Sequence, residues 1–531
     1  MLDAMTEART AAPVRAIVRA ERRAAGLVDS RWTVAVAAVA AFLLRLPGLT
    51  RPLRADEAGF ELVARSWHPT PTSLYGAYFV DRPPPLIALF KLSDAVGGPL
   101  FIRVLGAVAC AALVLAAAAV ARLVADETAA RWTAVAMAAL STNVLIDAVA
   151  VKGELLALPF LMGSLGLSLL AVRDRSWRCA LLAGLLAGVA LGFKQNLVGG
   201  VVFAAVLYLG AWRTGRLGRA DLVRLAAAAS AGFAVPLALT VGWALAAGVR
   251  LHTLWYAVYG FRFDASRVLS EGSDTAPTLR AGLLVVIAVG AGMLLIISGF
   301  VVHIRDEWRA DAALTAAIAA LLAVDVVGLV LGGSFWRDYL FPLLPGTALC
   351  AALLARRASR RGIAMRAVIT AAAASTVLSL VGWVAFNASG LQEYDEHDTG
   401  TALAAVAGAD DTLVVYGGRA DVQLESGLPS PYAYLWSLPM RTLDPELAGL
   451  DALVGGDRPP TWIVEWVAFE HWDERDGARV ARLVDERYVR AGTACGDRPI
   501  WLLRGVDRPT PRPECHGTAL TVQLRTISSG P

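Results

Sequence analysis

Two adjacent carboxylates, Asp56 and Glu57, follow an apolar stretch in the segment RPLRADEAGF, residues 51–60. A carboxylate can act as a general base when it lies within hydrogen-bond distance of an attacking hydroxyl group. The same residues are also typical of a helix start, because Asp is a good N-cap and Glu is favourable in a first helical turn. From the residues alone, the pair is either catalytic or the cap of a short helix.

A second charged pair, Asp81 and Arg82, lies in the segment YFVDRPPPLIALF, residues 78–90. The prolines after Arg82 predict a rigid helix start, since proline is tolerated in a first helical turn. A guanidinium at that point can hold a phosphate by paired hydrogen bonds. The alternative is an arginine that reaches from the membrane interface to lipid head groups.

Three later turns carry the remaining candidates: VKGE (151–154), FKQN (193–196) and FWRDYLFPLLP (335–345). Their charged and phenolic residues are Lys152, Glu154, Lys194, Arg337, Asp338 and Tyr339. The chain is rich in arginine and has only three lysines, two of which fall at these turns. Cations there would offset the charge that develops on a departing phosphate, although turns at a membrane surface need polar residues in any case.

The apolar segments between these residues decide where they lie. Of 531 residues, 56% are hydrophobic and 18% are charged, and the mean hydropathy is +0.55. Repeated apolar runs of about 18 residues are typical of membrane helices. The sequence therefore predicts a polytopic α-helical membrane protein. Its eleven predicted spans are residues 32–49, 100–122, 131–150, 154–172, 179–193, 196–212, 223–248, 280–302, 311–332, 339–355 and 364–386.

Arginine-rich loops alternate along the chain, which orients the spans by the positive-inside rule. The basic segments are residues 1–31, 173–178, 213–224, 305–309 and 356–366. If they face the cytoplasm, the N-terminus is cytoplasmic and the odd number of spans places the C-terminus outside. The protein is thus predicted in the inner (plasma) membrane, with the candidate residues at its outer surface.

Three domains are predicted from this topology. They are an Arg-rich cytoplasmic arm (1–31), a transmembrane domain (32–387) with a long first outer loop (50–99), and an extracytoplasmic α/β domain (388–531). The last domain has β-like runs at 412–416, 461–466 and 499–503, with a helical stretch before the third run. Its only cysteines, Cys495 and Cys515, are able to form a disulfide bond in an oxidising space.

Several classes of site are disfavoured by the sequence. The six histidines show no pair at metal-ligand spacing, and the sequence has no phosphate loop, dinucleotide fingerprint or nucleophile elbow. Topology explains the basic loops, so nucleic acid is not a predicted partner. No cofactor or metal site is predicted, and a divalent cation on carboxylate oxygens stays open.

These motifs resemble those of the GT-C membrane glycosyltransferases, in the branch of protein O-mannosyltransferases and lipid A aminoarabinose transferases. The resemblance covers about residues 32–390 and is carried by the Asp56–Glu57 pair, the DRPPPL segment and the three later turns. It implies a polyprenyl-phosphate sugar as donor, Asp56 as the catalytic base and Arg82 as a contact of the donor phosphate. The aminoarabinose transferases have lysine where this chain has Arg82, and the outer tail matches no motif of the family, so the sugar and the acceptor stay open.

The resulting prediction is an inverting glycosyltransferase. It would move a hexose or pentose, in the manner of mannosyl- and arabinosyltransferases, from polyprenyl phosphate to a glycan, lipid or protein of the cell envelope. The predicted site consists of a catalytic pair (Asp56, Glu57), donor phosphate contacts (Arg82, Lys152, Lys194, Arg337) and further candidates (Asp81, Glu154, Asp338, Tyr339).

Two alternatives from other classes remain. The first is a transporter or flippase of lipid-linked saccharides, for which Asp325, inside the predicted span 311–332, is the best candidate residue. The second is a non-catalytic membrane anchor that carries an extracytoplasmic binding domain. Whether the outer charges converge on one cavity would separate these three classes.

Overall fold

A computed structural model describes residues 28–271, 276–356 and 360–515 of the chain. Most of the predicted arm at 1–31 lies outside these residues. In chain order, the α-helices are α1 (Thr33–Leu43), α2 (Ala55–Arg65), α3 (Pro84–Val96), α4 (Gly98–Val124), α5 (Glu127–Ser141), α6 (Gly153–Asp174), α7 (Trp177–Phe193), α8 (Gly199–Arg213), α9 (Arg219–Ala246), α10 (Leu251–Trp255), α11 (Phe261–Glu271), α12 (Ala276–Gly290), α13 (Met293–Ala310), α14 (Ala312–Leu331), α15 (Leu344–Leu354), α16 (Arg360–Ala388), α17 (Asp395–Ala404), α18 (Ala420–Ser426), α19 (Ser437–Leu443), α20 (Ala448–Gly455) and α21 (Glu474–Arg487).

Short helices of other types and four strands complete the described structure. Three 3-10 helices span Leu46–Gly48, Arg337–Leu343 and Phe469–His471, and a π-helical turn spans Tyr256–Gly260. The strands are β1 (Leu413–Tyr416), β2 (Trp462–Glu465), β3 (Tyr488–Ala494) and β4 (Arg498–Leu503).

The chain divides into two compact units, each built from separate stretches of sequence. The first unit consists of Met1–Leu49, Arg103–Leu239 and Ala281–Trp383. The second unit consists of Thr50–Ile102, Thr240–Arg280 and Val384–Pro531. The predicted first outer loop and the predicted outer tail thus belong to the same unit.

Within the described residues, five helices are long and apolar enough to cross a membrane: α4, α6, α9, α14 and most of α16. The pair α12 and α13 also qualifies, although the two helices are bent by 79° at their junction. Shorter apolar helices occupy the predicted spans 32–49, 179–193 and 196–212. These helices support a polytopic membrane protein, and the number eleven stays a prediction.

Helices α7 and α9 of the first unit approach each other closely through glycines. A Cβ atom at Gly184 would lie 1.9 Å from the Ala229 carbonyl oxygen, and one at Gly232 would lie 1.9 Å from the Leu181 carbonyl oxygen. Small residues let membrane helices pack backbone against backbone, which replaces the hydrophobic driving force that lipid cannot supply. Any larger side chain at these two positions would push the helices apart.

The predicted span 131–150 is not continuous, because helix α5 ends at Ser141 and the chain stays non-helical until α6 begins at Gly153. Two buried arginines satisfy carbonyl groups of this break. Arg45 donates hydrogen bonds to Val149 O (3.2 Å) and Ala150 O (2.9 Å), and Arg103 donates to Val149 O (2.8 Å). Since non-helical backbone away from water must find partners within the protein, these side chains fix the turn that leads to Lys152.

The tail forms a small sheet with strand order β1-β2-β4-β3. Strands β1 and β2 are parallel, and the other two pairings are antiparallel. Side chains alternate across the sheet, so Val414 and Tyr416 enter one apolar core while Leu413 and Val415 enter another on the opposite face. Strand β3 was not predicted from the sequence, since its alternating polar residues resemble a loop.

The cysteines of the tail are close to each other, as the disulfide prediction requires. Cys495 follows β3 and is joined to Cys515 by a disulfide bond. A bond that closes a loop of this size stabilises a fold by roughly 3 kcal/mol. It holds the segment after β4 against the sheet.

Candidate functional site

The two carboxylates at the start of α2 have different surroundings. The Glu57 carboxylate is fully buried and accepts a hydrogen bond from the backbone N–H of Arg54 (3.2 Å). This contact is the helix-capping role considered above. Asp56 is only partly buried, so its carboxylate is the one of the pair that solvent and a substrate can reach.

Trp436, from the tail, contacts Asp56 directly. Its indole N–H donates a hydrogen bond to Asp56 Oδ1 (3.1 Å). The indole ring lies against Gly59, one turn of about 3.6 residues further along α2, where a Cβ atom would fall 2.1 Å from the ring. Only glycine leaves room for this contact. Nothing in the local sequence pairs Trp436 with residues 380 positions away, so sequence reasoning missed it.

The segment before Trp436 also forms hydrogen bonds to the stretch that leads to Arg82. The backbone N–H of Phe79 donates to Ala433 O (3.0 Å), and the Tyr78 hydroxyl oxygen accepts the backbone N–H of Ser430 (3.0 Å). Residues 430–436 of the tail therefore contact both sequence motifs of the predicted first outer loop. Through these hydrogen bonds, the tail holds the segments that carry Asp56 and Arg82 in the second unit.

Asp81 and Arg82 form an ion pair that a third residue extends. Arg82 Nη1 lies 2.7 Å from Asp81 Oδ1, and Arg262 Nη2 lies 2.5 Å from Asp81 Oδ2. The Arg82 guanidinium also lies over the ring of Phe60, 5.6 Å from its centroid, a cation–π contact. Since Phe60 is on helix α2, the structure brings Arg82 to the helix that carries Asp56. Arg262 was missed because it lies in a polar stretch of α11 without a recognisable motif.

Glu61, one turn after Glu57, is a buried acid that the sequence analysis did not single out. Its side chain is fully buried, and its Oε1 lies 3.1 Å from Nη2 of Arg65, which also pairs with Asp94 (3.0 Å). Burial is the main cause that raises the pKa of Glu61 from 4.5 to about 7, and a hydrogen bond with Asp94 adds to the increase while Arg65 opposes it. Helices α2 and α3 are thus joined by two acids and one arginine.

A pH dependence of stability follows from this raised pKa. The folded state holds the Glu61 proton more tightly than the unfolded state, so its stabilising contribution is complete below about pH 4.5 and is lost as the pH rises through about 7. We expect the melting temperature to fall over this pH range. The corresponding loss in the free energy of unfolding is at most about 3 kcal/mol. Glu61→Gln, which imitates the protonated form, should show a smaller fall in thermal scans of the detergent-solubilised protein.

Glu127→Gln is the control, because Glu127 belongs to an exposed ion pair. Equal pH profiles for Glu61→Gln and the unmutated chain would contradict the assignment of the pH dependence to Glu61.

The three later turns meet in the first unit, in a group that we term the lysine cluster: Lys152, Glu154, Lys194, Asp338 and Tyr339. Lys152 Nζ lies 3.1 Å from Asp338 Oδ1, Lys194 forms an ion pair with Glu154, and Lys194 Nζ lies 4.6 Å from the ring centroid of Tyr339. Burial raises the pKa of Asp338, while the ammonium group of Lys152 opposes the increase.

The local fold explains this convergence. Lys152 immediately precedes α6, Glu154 lies in its first turn, and Lys194 immediately follows α7. The antiparallel pair α6 and α7 therefore places the ends of two turns side by side, and the 3-10 helix Arg337–Leu343 supplies the third. Arg337 is the first residue of that helix. The sequence-predicted residues are thus distributed over two clusters, one in each unit.

Asp325, the residue on which the transporter alternative depends, lies within α14 and is buried. It faces the first residue of α8: a Cβ atom at Gly199 would lie 3.0 Å from Asp325 Oδ1. A carboxylate at a helix N-terminus is stabilised by the helix dipole, which is a structural explanation for its presence. Among the described residues, no group of three or more His, Cys, Asp or Glu side chains is arranged to hold a metal ion.

No protein-family model and no curated protein sequence matches this chain. Solved structures do match it. ArnT from Cupriavidus metallidurans in the apo state aligns with a TM-score of 0.59 at 15% identity, over 88% of this chain and 96% of that one. The same protein bound to undecaprenyl phosphate gives a TM-score of 0.55 at 15% identity, over 88% and 97%. The chain has the GT-C fold.

A second GT-C structure supports this assignment. The Archaeoglobus fulgidus oligosaccharyltransferase tethered with an acceptor peptide aligns with a TM-score of 0.51 at 12% identity, over 86% of this chain and 72% of that one. The predicted resemblance is therefore confirmed for the fold. The GT-C fold accounts for a mostly helical chain whose apolar helices are accompanied by a small sheet near the C-terminus.

Proposed function

We propose that this chain is an integral-membrane glycosyltransferase that moves a sugar from a polyprenyl-phosphate donor to an acceptor hydroxyl group outside the cytoplasm. The observation that carries the proposal is the position of Asp56. This partly exposed carboxylate is held by an indole N–H at the start of a helix whose Phe60 contacts the Arg82 guanidinium. A protein of the same fold has been solved with undecaprenyl phosphate bound, which supports a lipid-phosphate donor.

The proposed reaction is a single displacement at the anomeric carbon. Asp56 takes the proton of the acceptor hydroxyl group as its oxygen forms a bond to that carbon. The bond between the carbon and the phosphate oxygen breaks, and polyprenyl phosphate leaves with the electron pair. Arg82 stabilises the negative charge on this leaving group, and the configuration at the anomeric carbon is inverted.

The predicted phosphate contacts Lys152 and Lys194 lie in the lysine cluster of the first unit, where Arg337 immediately precedes Asp338 in the chain. Both ammonium groups are paired with buried carboxylates, Asp338 and Glu154. Such pairing keeps two cations in place at the ends of helices where an unpaired charge would be costly. A phosphate that binds here would replace Asp338 or Glu154 as the ion-pair partner of one of the two lysines.

A panel assay tests the proposal directly. The purified protein in liposomes is given radiolabelled polyprenyl-phosphate sugars one at a time, together with cell-envelope glycan, lipid and peptide fractions as acceptors. We expect one donor to lose its sugar with release of polyprenyl phosphate. If every donor is consumed no faster than by Asp56→Asn protein, the proposed activity is wrong.

Trp436 is proposed as the residue that positions Asp56. Trp436→Phe keeps an aromatic ring on Gly59 and removes the hydrogen bond to the carboxylate. We expect kcat to fall about 10- to 100-fold, since hydrogen bonds to charged groups contribute about 1.5–3 kcal/mol. The acidic limb of the pH–rate profile should move to higher pH, because the charged carboxylate loses a donor that favours it.

The matched control is Trp472→Phe, which changes a tail tryptophan that packs against Tyr416 instead. It should leave both the rate and the pH profile in place. A Trp436→Phe enzyme with a normal pH profile would show that the indole contributes only packing.

A further inference from the structure

The turn that follows strand β1 lies against the backbone of Trp436, the residue whose indole is hydrogen-bonded to Asp56. Gly417 and Gly418 in this turn have φ angles of +106° and +74°, a conformation that glycine adopts without strain. A Cβ atom at Gly418 would lie 2.1 Å from the backbone nitrogen of Ser437 and 2.3 Å from the carbonyl carbon of Trp436. Gly418 therefore lets the turn approach Trp436 more closely than any residue with a side chain could.

Arg419, the next residue, is joined to Trp436 through the main chain. The two residues form an isolated antiparallel β-bridge. Helix α18 begins directly after Arg419 and packs against α2, the helix that carries Asp56. The backbone of Trp436 is thus held by the turn, while its indole ring lies against Gly59 of α2. The position of the indole N–H depends on both contacts.

The Arg419 side chain fixes this turn within the tail. It is largely buried and pairs with two carboxylates, Glu396 of α17 and Asp421 of α18. The contact with Asp421 is bidentate, since Nε lies 3.3 Å from Oδ1 and Nη2 lies 3.1 Å from Oδ2. The guanidinium also lies 5.5 Å from the ring centroid of Trp466, which immediately follows β2. One arginine therefore ties two helices and the end of a strand to the turn that holds Trp436.

Stability alone does not account for such an arginine. Buried ion pairs are costly to desolvate, and apolar residues of similar volume often stabilise a fold equally well. The guanidinium adds direction, because its planar fork holds carboxylate partners in one geometry. At Arg419 this geometry is passed to the main chain, which forms the bridge to Trp436.

We propose that Arg419 is a positioning residue for sugar transfer. It fixes the turn 417–419, the turn fixes the indole of Trp436, and the indole orients the Asp56 carboxylate. The inference rests on the proposed function, in which Asp56 is the general base. It makes the tail a part of the transferase and not a separate binding domain.

Arg419→Lys tests this role, because it keeps the positive charge and loses the bidentate geometry. We expect kcat to fall about 10-fold, the lower end of the loss expected when a hydrogen bond to a charged group is broken. The donor KM should stay unchanged, since the donor phosphate is assigned to Arg82. The matched control is Arg508→Lys at the other end of β1, where Arg508 makes the same bidentate contact with the buried Asp411 (3.1 and 2.8 Å). It should leave kcat unchanged, and equal losses in the two variants would overturn the proposal.

A double-mutant cycle shows whether Arg419 acts through Trp436. In Trp436→Phe protein, the further change Arg419→Lys should not lower kcat again, because the hydrogen bond that it supports is already absent. Independent falls in kcat that multiply would contradict the proposal. Thermal scans identify a variant that fails to fold. In that case Glu396→Gln, which leaves the contact between Arg419 and Asp421 in place, should give a smaller fall that is likewise absent in Trp436→Phe protein.

Hydrogen exchange of the purified full-length protein, without donor or acceptor, gives a measurement that does not depend on activity. We expect the amides of α2 to exchange about 10-fold faster in Arg419→Lys than in Arg508→Lys or the unmutated chain, since α2 opens locally more often when its support is loosened. Unchanged exchange in α2 would overturn the positioning role even if kcat falls. Faster exchange in a protein that transfers no sugar would support the link between Arg419 and α2 and contradict only the proposed function.

Discussion

Replacing Asp56 by asparagine is expected to slow sugar transfer by about 10²- to 10⁴-fold, the usual contribution of general-base catalysis. The amide keeps the shape of the side chain and can still accept the indole hydrogen bond of Trp436, but it cannot take a proton from the acceptor. The donor KM should change little, because the carboxylate acts on the acceptor. The measurement is transfer from a polyprenyl-phosphate sugar by purified protein in liposomes.

Glu57→Gln is the matched control for this prediction. The buried Glu57 carboxylate accepts the N–H of Arg54, and an amide oxygen can also accept that bond, so the rate should fall far less than in Asp56→Asn. A small loss of thermal stability is expected from the weaker cap. If Asp56→Asn transfers sugar at the unmutated rate, Asp56 serves only the helix start and the proposed mechanism is wrong.

Replacing Arg82 by alanine is expected to raise the donor KM by about 10- to 100-fold and to lower kcat as well. The estimate corresponds to the loss of a charge-assisted contact worth about 1.5–3 kcal/mol. Both parameters should change because the phosphate is bound in the ground state and gains charge as it leaves. Steady-state kinetics with varied donor concentration separate the two effects.

Two further variants make the Arg82 test specific. Arg82→Lys retains the positive charge and should recover part of the donor affinity, although an ammonium group does not reproduce the planar guanidinium. Arg267→Ala removes an exposed arginine of the same unit, paired only locally with Asp264, and should leave the kinetics unchanged. An Arg82→Ala enzyme with unmutated KM and kcat would assign Arg82 to the membrane interface instead.

The sequence by itself determined the class of the protein. Long apolar runs cannot be solvated by water, so the residues at 100–122, 154–172, 223–248 and 311–332 could be recognised as helices of a membrane protein without any structure. The turns before α6 and after α7 were also recognisable in the sequence, because two antiparallel helices joined by a short connection place their other ends side by side. Lys152, Glu154 and Lys194 accordingly lie in one cluster.

Local sequence was less informative wherever a long-range contact decides the conformation. The span predicted at 131–150 ends at Ser141, because Arg45 and Arg103 supply hydrogen bonds that allow the chain to leave the helix. Apolar composition cannot reveal such a break, since the residues that stabilise it are remote. Strand β3 was missed for a related reason: its edge position in the sheet tolerates polar residues.

Only the tertiary structure decided which of the two adjacent acids is available for chemistry. The sequence alone does not distinguish the adjacent acids Asp56 and Glu57. In the structure, the buried Glu57 carboxylate accepts the backbone N–H of Arg54. The Asp56 carboxylate is partly exposed and is oriented by the indole N–H of Trp436. The tail likewise has no motif that predicts its contact with residues 56–82. A hydrogen bond across 380 positions depends on how separate elements pack, and packing is a property of the folded chain and not of any one segment.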